Sequence, residues 1–128
     1  MNHLLLIAAG GALGAVSRHG VNQACLRWIG PEAPWGVLIV NLAGSLAVGL
    51  LVGWLALAGR ADATEIRFAF GVGFLGAFTT MSALSLELML MIERKAYLEA
   101  LVWGGGTLIA CVLATGVGLA LARTVWVS

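Results

Sequence analysis

One repeated feature limits this chain more than any other: four apolar runs, at residues 4–28, 35–58, 66–92 and 100–122, each long enough to cross a bilayer. A spanning helix needs about 20 mostly apolar residues, because it rises ~1.5 Å per residue through roughly 30 Å of hydrocarbon. The joints between the runs, residues 29–34, 59–65 and 93–99, are too short to hold a soluble domain. The expected fold is therefore all-α: a single four-helix transmembrane domain over residues 1–128. Composition supports lipid as the solvent, since 61% of residues are hydrophobic and 10% charged, against ~25% charged in a typical soluble domain. With a net charge of +1 and no basic run, nucleic acid is not an expected partner. Met1-Asn2-His3 lacks the charged region of a cleaved signal peptide and reads as the approach to the first span.

Trp28, Trp35, Trp103 and Trp126 lie near span ends, where amphipathic rings favour the headgroup layer. Lysine and arginine do not favour one orientation. Arg60, Arg67 and Arg123 fall on one side of a four-span topology, and Arg27, Arg94 and Lys95 on the other. An excess of positive charge normally marks the cytoplasmic side. With none, the two orientations are nearly equal in energy, and an antiparallel dimer with one copy each way is the simplest use of that balance. Gly10 with Gly14, and Gly49 with Gly53, have the small-xxx-small spacing that lets helix backbones touch, and Gly104-Gly105-Gly106 opens the last span.

Polar side chains inside the spans are the functional candidates, because each costs roughly 2.5–3.5 kcal/mol to insert if ionisable. Arg18 in the first span either snorkels to the interface or holds a positive charge at a vestibule. Asn41, with Ser45 one turn later on the same face, either glues helices together or offers N–H donors to an anion. In the third span, Gly71-Val-Gly73-Phe-Leu-Gly76 matches a dinucleotide-binding pattern literally, but no strand precedes it. The denser Thr79-Thr80-Met81-Ser82 run predicts a helix broken at mid-span. Such a break persists at membrane depth only where it lines a cavity or binds an ion. Glu87 follows, and needs a donor if it is buried. Thr107, Cys111 and Thr115 recur every four residues and share a face, either as a polar track or as hydroxyls bonding back to their own helix. Cys25 and Cys111 are far apart, lack metal-ligand spacing, and read as small apolar residues.

Three segments together carry a resemblance. Gly11-Ala-Leu-Gly14-Ala-Val-Ser-Arg18, Gly36-Val-Leu-Ile-Val-Asn41-Leu-Ala-Gly44-Ser45, and Gly73-Phe-Leu-Gly76-Ala-Phe78-Thr79-Thr80-Met81-Ser82-Ala-Leu84-Ser85-Leu-Glu87 resemble the Fluc/CrcB fluoride channels in order and spacing. The resemblance covers nearly the whole chain. It implies no enzyme but a passive exporter of fluoride in a prokaryotic inner membrane, built as a dual-topology antiparallel homodimer with two pores. It also implies a structural sodium ion at the dimer centre, held by the backbone carbonyls of Gly76 and Thr79 from both subunits. By the same resemblance Arg18 lies at the vestibule, Asn41 along the pore, Ser82 at the pore-lining break, and Thr107 and Cys111 on the polar track.

The chain departs from that family at the pore. Met81 and Leu84 stand where a pair of phenylalanines is usual, Val37 and Ala83 where threonine is common, and Cys111 where serine is usual. Aromatic ring edges carry partial positive charge, leucine has none, and methionine is polarizable and adaptable. These changes bear on selectivity and throughput rather than fold. They keep open two further expectations: a subunit that needs a partner carrying the phenylalanines, or a channel of altered anion selectivity. A proton-coupled exporter of the small multidrug resistance type also has four helices, but needs a carboxylate in its first span, and none is present.

Overall fold

The computed structural model describes residues 2–127; Met1 and Ser128, the ends of the expected domain, lie outside them. The first span is α1 (His3–Trp28) and the second α2 (Trp35–Ala58). The third is bent. Its first half, α3 (63–78), is α-helical at both ends and π-helical over Arg67–Leu75, and its second half is α4 (Met81–Glu93). The last span is α5 (Tyr97–Trp126). Four helical stretches are thus long and apolar enough to cross a membrane, and no strand occurs among the described residues.

The helices run further than their apolar cores. Thr64 and Glu65, expected in the second joint, belong to α3, while Tyr97, Leu98 and Glu99, expected in the third, start α5. Glu65 and Glu99 sit in the first turns, where a carboxylate complements the positive end of the helix dipole. Asn2 caps α1 by accepting from the Leu4 amide at 3.1 Å. Gly59 ends α2 at φ 53°, the left-handed turn that glycine adopts without strain.

The four spans pack as two parallel pairs. α1 lies along α3, with Gly10 against the Ala69 carbonyl, Gly14 against the Phe74 carbonyl, and Gly73 against the Ile7 carbonyl. The α2 helix lies along α5, with Gly49 against the Thr115 carbonyl, Gly118 against the Leu46 carbonyl, and Gly53 against Ala122. At each of these positions a Cβ would meet the neighbouring helix at or inside the closest permitted approach. Lipid supplies no hydrophobic drive between helices, so backbone proximity and dispersion have to hold them. Gly71, Gly73 and Gly76, the literal dinucleotide pattern, belong to the wide-turned segment and the turn after it. Gly76 N–H donates to the Gly71 carbonyl, five residues back. Such π stretches are rare, usually a single turn, and frequent at functional sites.

Two aromatic clusters mark the ends of the α2–α5 pair. Trp35 meets Trp103 edge-on at 5.1 Å, and Trp54 lies 6.3 Å from Trp126 with the Arg60 guanidinium 5.3 Å over its ring. Arg60 also forms a two-bond ion pair with Asp62 at 2.7 Å, which holds the Asp62 carboxyl below the usual carboxylate range. Both residues are solvent-exposed, so the pair contributes little to stability.

Candidate functional site

The break between α3 and α4 is built by two adjacent threonines with opposite duties. Thr79 closes α3: its amide and its hydroxyl both donate to the Leu75 carbonyl, at 3.1 and 3.0 Å. Thr80 opens α4: its hydroxyl accepts from the Ala83 amide at 3.2 Å, the standard work of an N-cap. Both backbones are extended, at φ −82°, ψ 157° and φ −154°, ψ 112°. A β-branched side chain suits that conformation.

Asn41 of α2 clasps the break. Its Nδ2 donates to the Thr80 carbonyl at 3.0 Å, and its Oδ1 accepts from the Thr80 amide at 2.7 Å. Asn41 is 9% exposed and Thr80 6%, so the pairing is sheltered. Gly44, one turn along α2, lets Thr79 Cγ2 come into contact, which brings the second span this close.

The diverted amides have a consequence for the carbonyls. In an unbroken helix the Thr80 amide would bond to the Gly76 carbonyl, and the Ala83 amide to the Thr79 carbonyl. Here one goes to Asn41 and the other to the Thr80 hydroxyl. Neither amide is therefore spent on the Gly76 or Thr79 carbonyl; these two oxygens, at the negative end of α3, are hard donors of the kind that would suit a small cation such as sodium. The start of α4 presents the opposite end of a helix dipole at the same depth.

Two grooves flank the break. The larger part of the expected pathway lies in the first, a concave site of about 380 Å³ that includes Asn41, Met81, Leu84, Thr107 and Cys111. Its wall also includes Ser45, Gly76, Thr79 and Thr80, and contains no aromatic ring. Arg18 and Ser82 line a second groove with His19, Asn22 and Thr80. The expected residues are thus split between two concavities that share Thr80. Met81 is 69% exposed at the mouth of the first groove, whereas Leu84 is buried in its wall. Phe78 lines neither groove, and its ring stacks on Phe74 at 5.7 Å.

The polar face of α5 divides as well. Thr115 has its hydroxyl engaged, donating to the carbonyls of Ser45 on α2 and of Cys111 at 3.1 Å each. It joins helices rather than extending the track. Thr107 differs. It is 3% exposed, it lines the first groove, and its Oγ1 has no hydrogen-bond partner among the described residues. Glu87 is half-buried and has no hydrogen bond or ion pair among the described residues.

Sequence reasoning placed Thr80 in the run that breaks the helix but gave it no site role, and it did not single out His19 or Asn22. Thr80 had a signal, since a threonine at a helix restart is a preferred cap. His19 and Asn22 had a weaker one: with Arg18 they fall on adjacent faces of one helix.

Comparison with known proteins adds the family. The CrcB-like protein, Camphor Resistance (CrcB) family matches residues 5–119. A relative from Caulobacter sp. (strain K31) is 48% identical over 126 residues, covering 98% of both chains. One from Phenylobacterium zucineum (strain HLK1) is 48% identical over 98% of this chain and 99% of its own. One from Hyphomonas neptunium is 44% identical over the same shares. All three bear the name fluoride-specific ion channel FluC.

Proposed function

The chain belongs to the CrcB-like family, and from that membership we propose that it is a fluoride channel of the bacterial inner membrane, passing the ion passively and catalysing no reaction. The observation that carries this reading is Thr107: its buried hydroxyl has no partner among the described residues, and the residue lines a groove beside a clasped helix break. Leaving such a group unpaired costs about 1–3 kcal/mol. A small anion moving along the groove would relieve that cost. Fluoride is compact and strongly hydrated, so a pore has to replace its water with donors while excluding larger halides by width.

The working unit we propose is an antiparallel pair of chains. The balanced loop charges support it, and so does the size of the single chain, which leaves both grooves open. Sodium is proposed at the break, held by the carbonyls of Gly76 and Thr79 of each copy, where it supplies positive charge at the negative end of α3. If so, exchanging sodium for N-methylglucamine lowers the melting temperature of the purified protein. A site occupied at about 100 times its dissociation constant contributes ~2.7 kcal/mol. Equal melting in the two cations would remove sodium from the proposal.

One observation favours a second reading: no aromatic ring lines the first groove. On that reading a homodimer passes anions besides fluoride, or a partner subunit supplies the rings. Fluoride and chloride efflux from liposomes holding this protein alone decides among these. Fluoride release without chloride release is expected. Equal release of both indicates altered selectivity, and no release from a folded dimer indicates the partner. The exporter reading has no support: the first span carries no carboxylate, and Glu87, in the third, lines neither groove.

A further inference from the structure

A third groove, of about 630 Å³, lies in the hairpin of α2 and α3 at the second joint. The α2 side supplies Val48, Leu51, Val52 and Leu55, whose spacing puts them on one stripe of the helix. Val52 is 53% exposed and Val72, on the α3 side, 48%, so the described residues leave this apolar trough open along its side. From Ala56 to Val48 it follows α2 for about 12 Å at ~1.5 Å per residue, close to one leaflet of a ~30 Å hydrocarbon core. Arg67 stands at the joint end, one turn inside the start of α3. Gly71, one turn deeper, shows where its side chain runs. A Cβ at Gly71 would lie 3.9 Å from Arg67 Cγ and 3.4 Å from Leu51 Cδ2 of α2. The aliphatic stem of Arg67 is therefore laid along the side of α3 that Leu51 faces.

The nearby carboxylates are otherwise engaged. Asp62 is spent on Arg60, and Glu65 has one carboxylate oxygen enclosed by protein. Among the described residues Arg67 forms no ion pair. No side chain caps the first amides of α3, so the positive end of that helix faces the same joint. A cation at the membrane-surface end of an open apolar trough complements an amphiphile with a negative head and a hydrocarbon tail. Arginine meets phosphate through two parallel N–H···O bonds, and basic pockets between spanning helices bind anionic headgroups. We propose that this groove binds one anionic phospholipid, with an acyl chain laid between α2 and α3 along the Val52 stripe and its phosphate on Arg67. A zwitterionic lipid offers the same phosphate but brings a second cation that Arg67 repels. Val48 and Gly71 line the first groove as well as the third, so the seated chain ends against the wall of the first. The binding does not rest on the channel reading, whereas any effect of the lipid on fluoride flux does.

The probe is dioleoyl phosphatidylglycerol, offered with an equal amount of dioleoyl phosphatidylcholine to the purified full chain in an uncharged detergent. Retained lipid is counted by native mass spectrometry. Phosphatidylglycerol should be retained in clear excess over phosphatidylcholine. Arg67→Gln should lower its affinity about fivefold, and Arg67→Lys by less, because lysine keeps the charge and loses the paired bonds. Val52→Trp should lower retention with Arg67 intact, because the indole fills the trough. Arg123→Gln removes a cation that lines none of the three grooves, and should leave retention unchanged. Equal retention of the two lipids, or unchanged retention in either Arg67→Gln or Val52→Trp, would overturn the site. Sedimentation of the same samples tests the other occupant: if both variants turn a dimer into monomers while neither lipid is preferred, the groove holds a second copy and the proposal fails. Fluoride efflux is then compared in vesicles with and without phosphatidylglycerol. Absence of efflux in both counts against the channel reading alone, since the retained lipid has already decided the site.

Discussion

Asn41→Asp is expected to lower fluoride efflux at neutral pH by roughly a thousandfold. Two effects combine. The amide donates to one backbone group of Thr80 and accepts from the other, and an ionised carboxylate can only accept. The Thr80 carbonyl then faces a negative charge in place of an N–H. A unit charge about 4 Å from a passing anion also raises its energy by about 4 kcal/mol at an effective dielectric of ~20, and each ~1.4 kcal/mol is tenfold in rate. Acidification should restore part of the flux, because a protonated carboxyl regains an O–H for the Thr80 carbonyl, and burial raises the pKa of such a group. Efflux equal to the unmodified protein at neutral pH would remove Asn41 from the pathway. Loss of flux that acid does not recover would assign it a role other than the clasp.

The second large effect is structural. Gly14→Val should destabilise the protein by about 3 kcal/mol, at the upper end of what overpacking costs. A Cβ at Gly14 meets the Phe74 carbonyl oxygen, with the Phe74 carbonyl carbon at 3.0 Å and Cα at 3.1 Å. All three atoms are backbone, so no rotamer change clears them and the two helices have to separate. Gly20, in the same helix, has nothing within 4 Å of the equivalent position. Gly20→Ala should therefore be neutral or stabilising by up to ~1 kcal/mol, the helix-propensity difference. Melting temperatures in detergent check both. Equal melting of the two variants would mean that the α1–α3 contact does not hold the fold.

Much of the architecture was readable in advance because lipid enforces it. An apolar run of sufficient length has one stable backbone solution in hydrocarbon, so the four spans follow from periodless hydrophobicity alone. The break was readable for a related reason: hydroxyl residues crowded at mid-span have local backbone partners, and Thr79 and Thr80 each take one. The use of individual polar groups was not readable. Asn41 has the same composition whether it binds an anion or clasps Thr80, and only a contact across 39 residues separates the two. Thr107 and Thr115 are equivalent in spacing, yet one hydroxyl is engaged and the other is bare. The division of Arg18 and Ser82 from the remaining pathway residues depends on which side of the break each helix lies. Periodicity within a helix carries no information on that.

The two tryptophan clusters also act as a ruler. Trp35 and Trp54 are about 19 residues apart on one helix, roughly 28 Å at ~1.5 Å per residue, close to the ~30 Å hydrocarbon thickness of an ordinary bilayer. Each ring is held by a partner on α5, so neither cluster can shift along the membrane normal independently. The protein is therefore matched to one membrane thickness. In a thinner or thicker bilayer the mismatch has to be absorbed by tilt of the α2–α5 pair or by deformation of the lipid. Because Asn41 sits on that pair and holds the break on another span, lipid chain length becomes a mechanical input to the geometry of the groove.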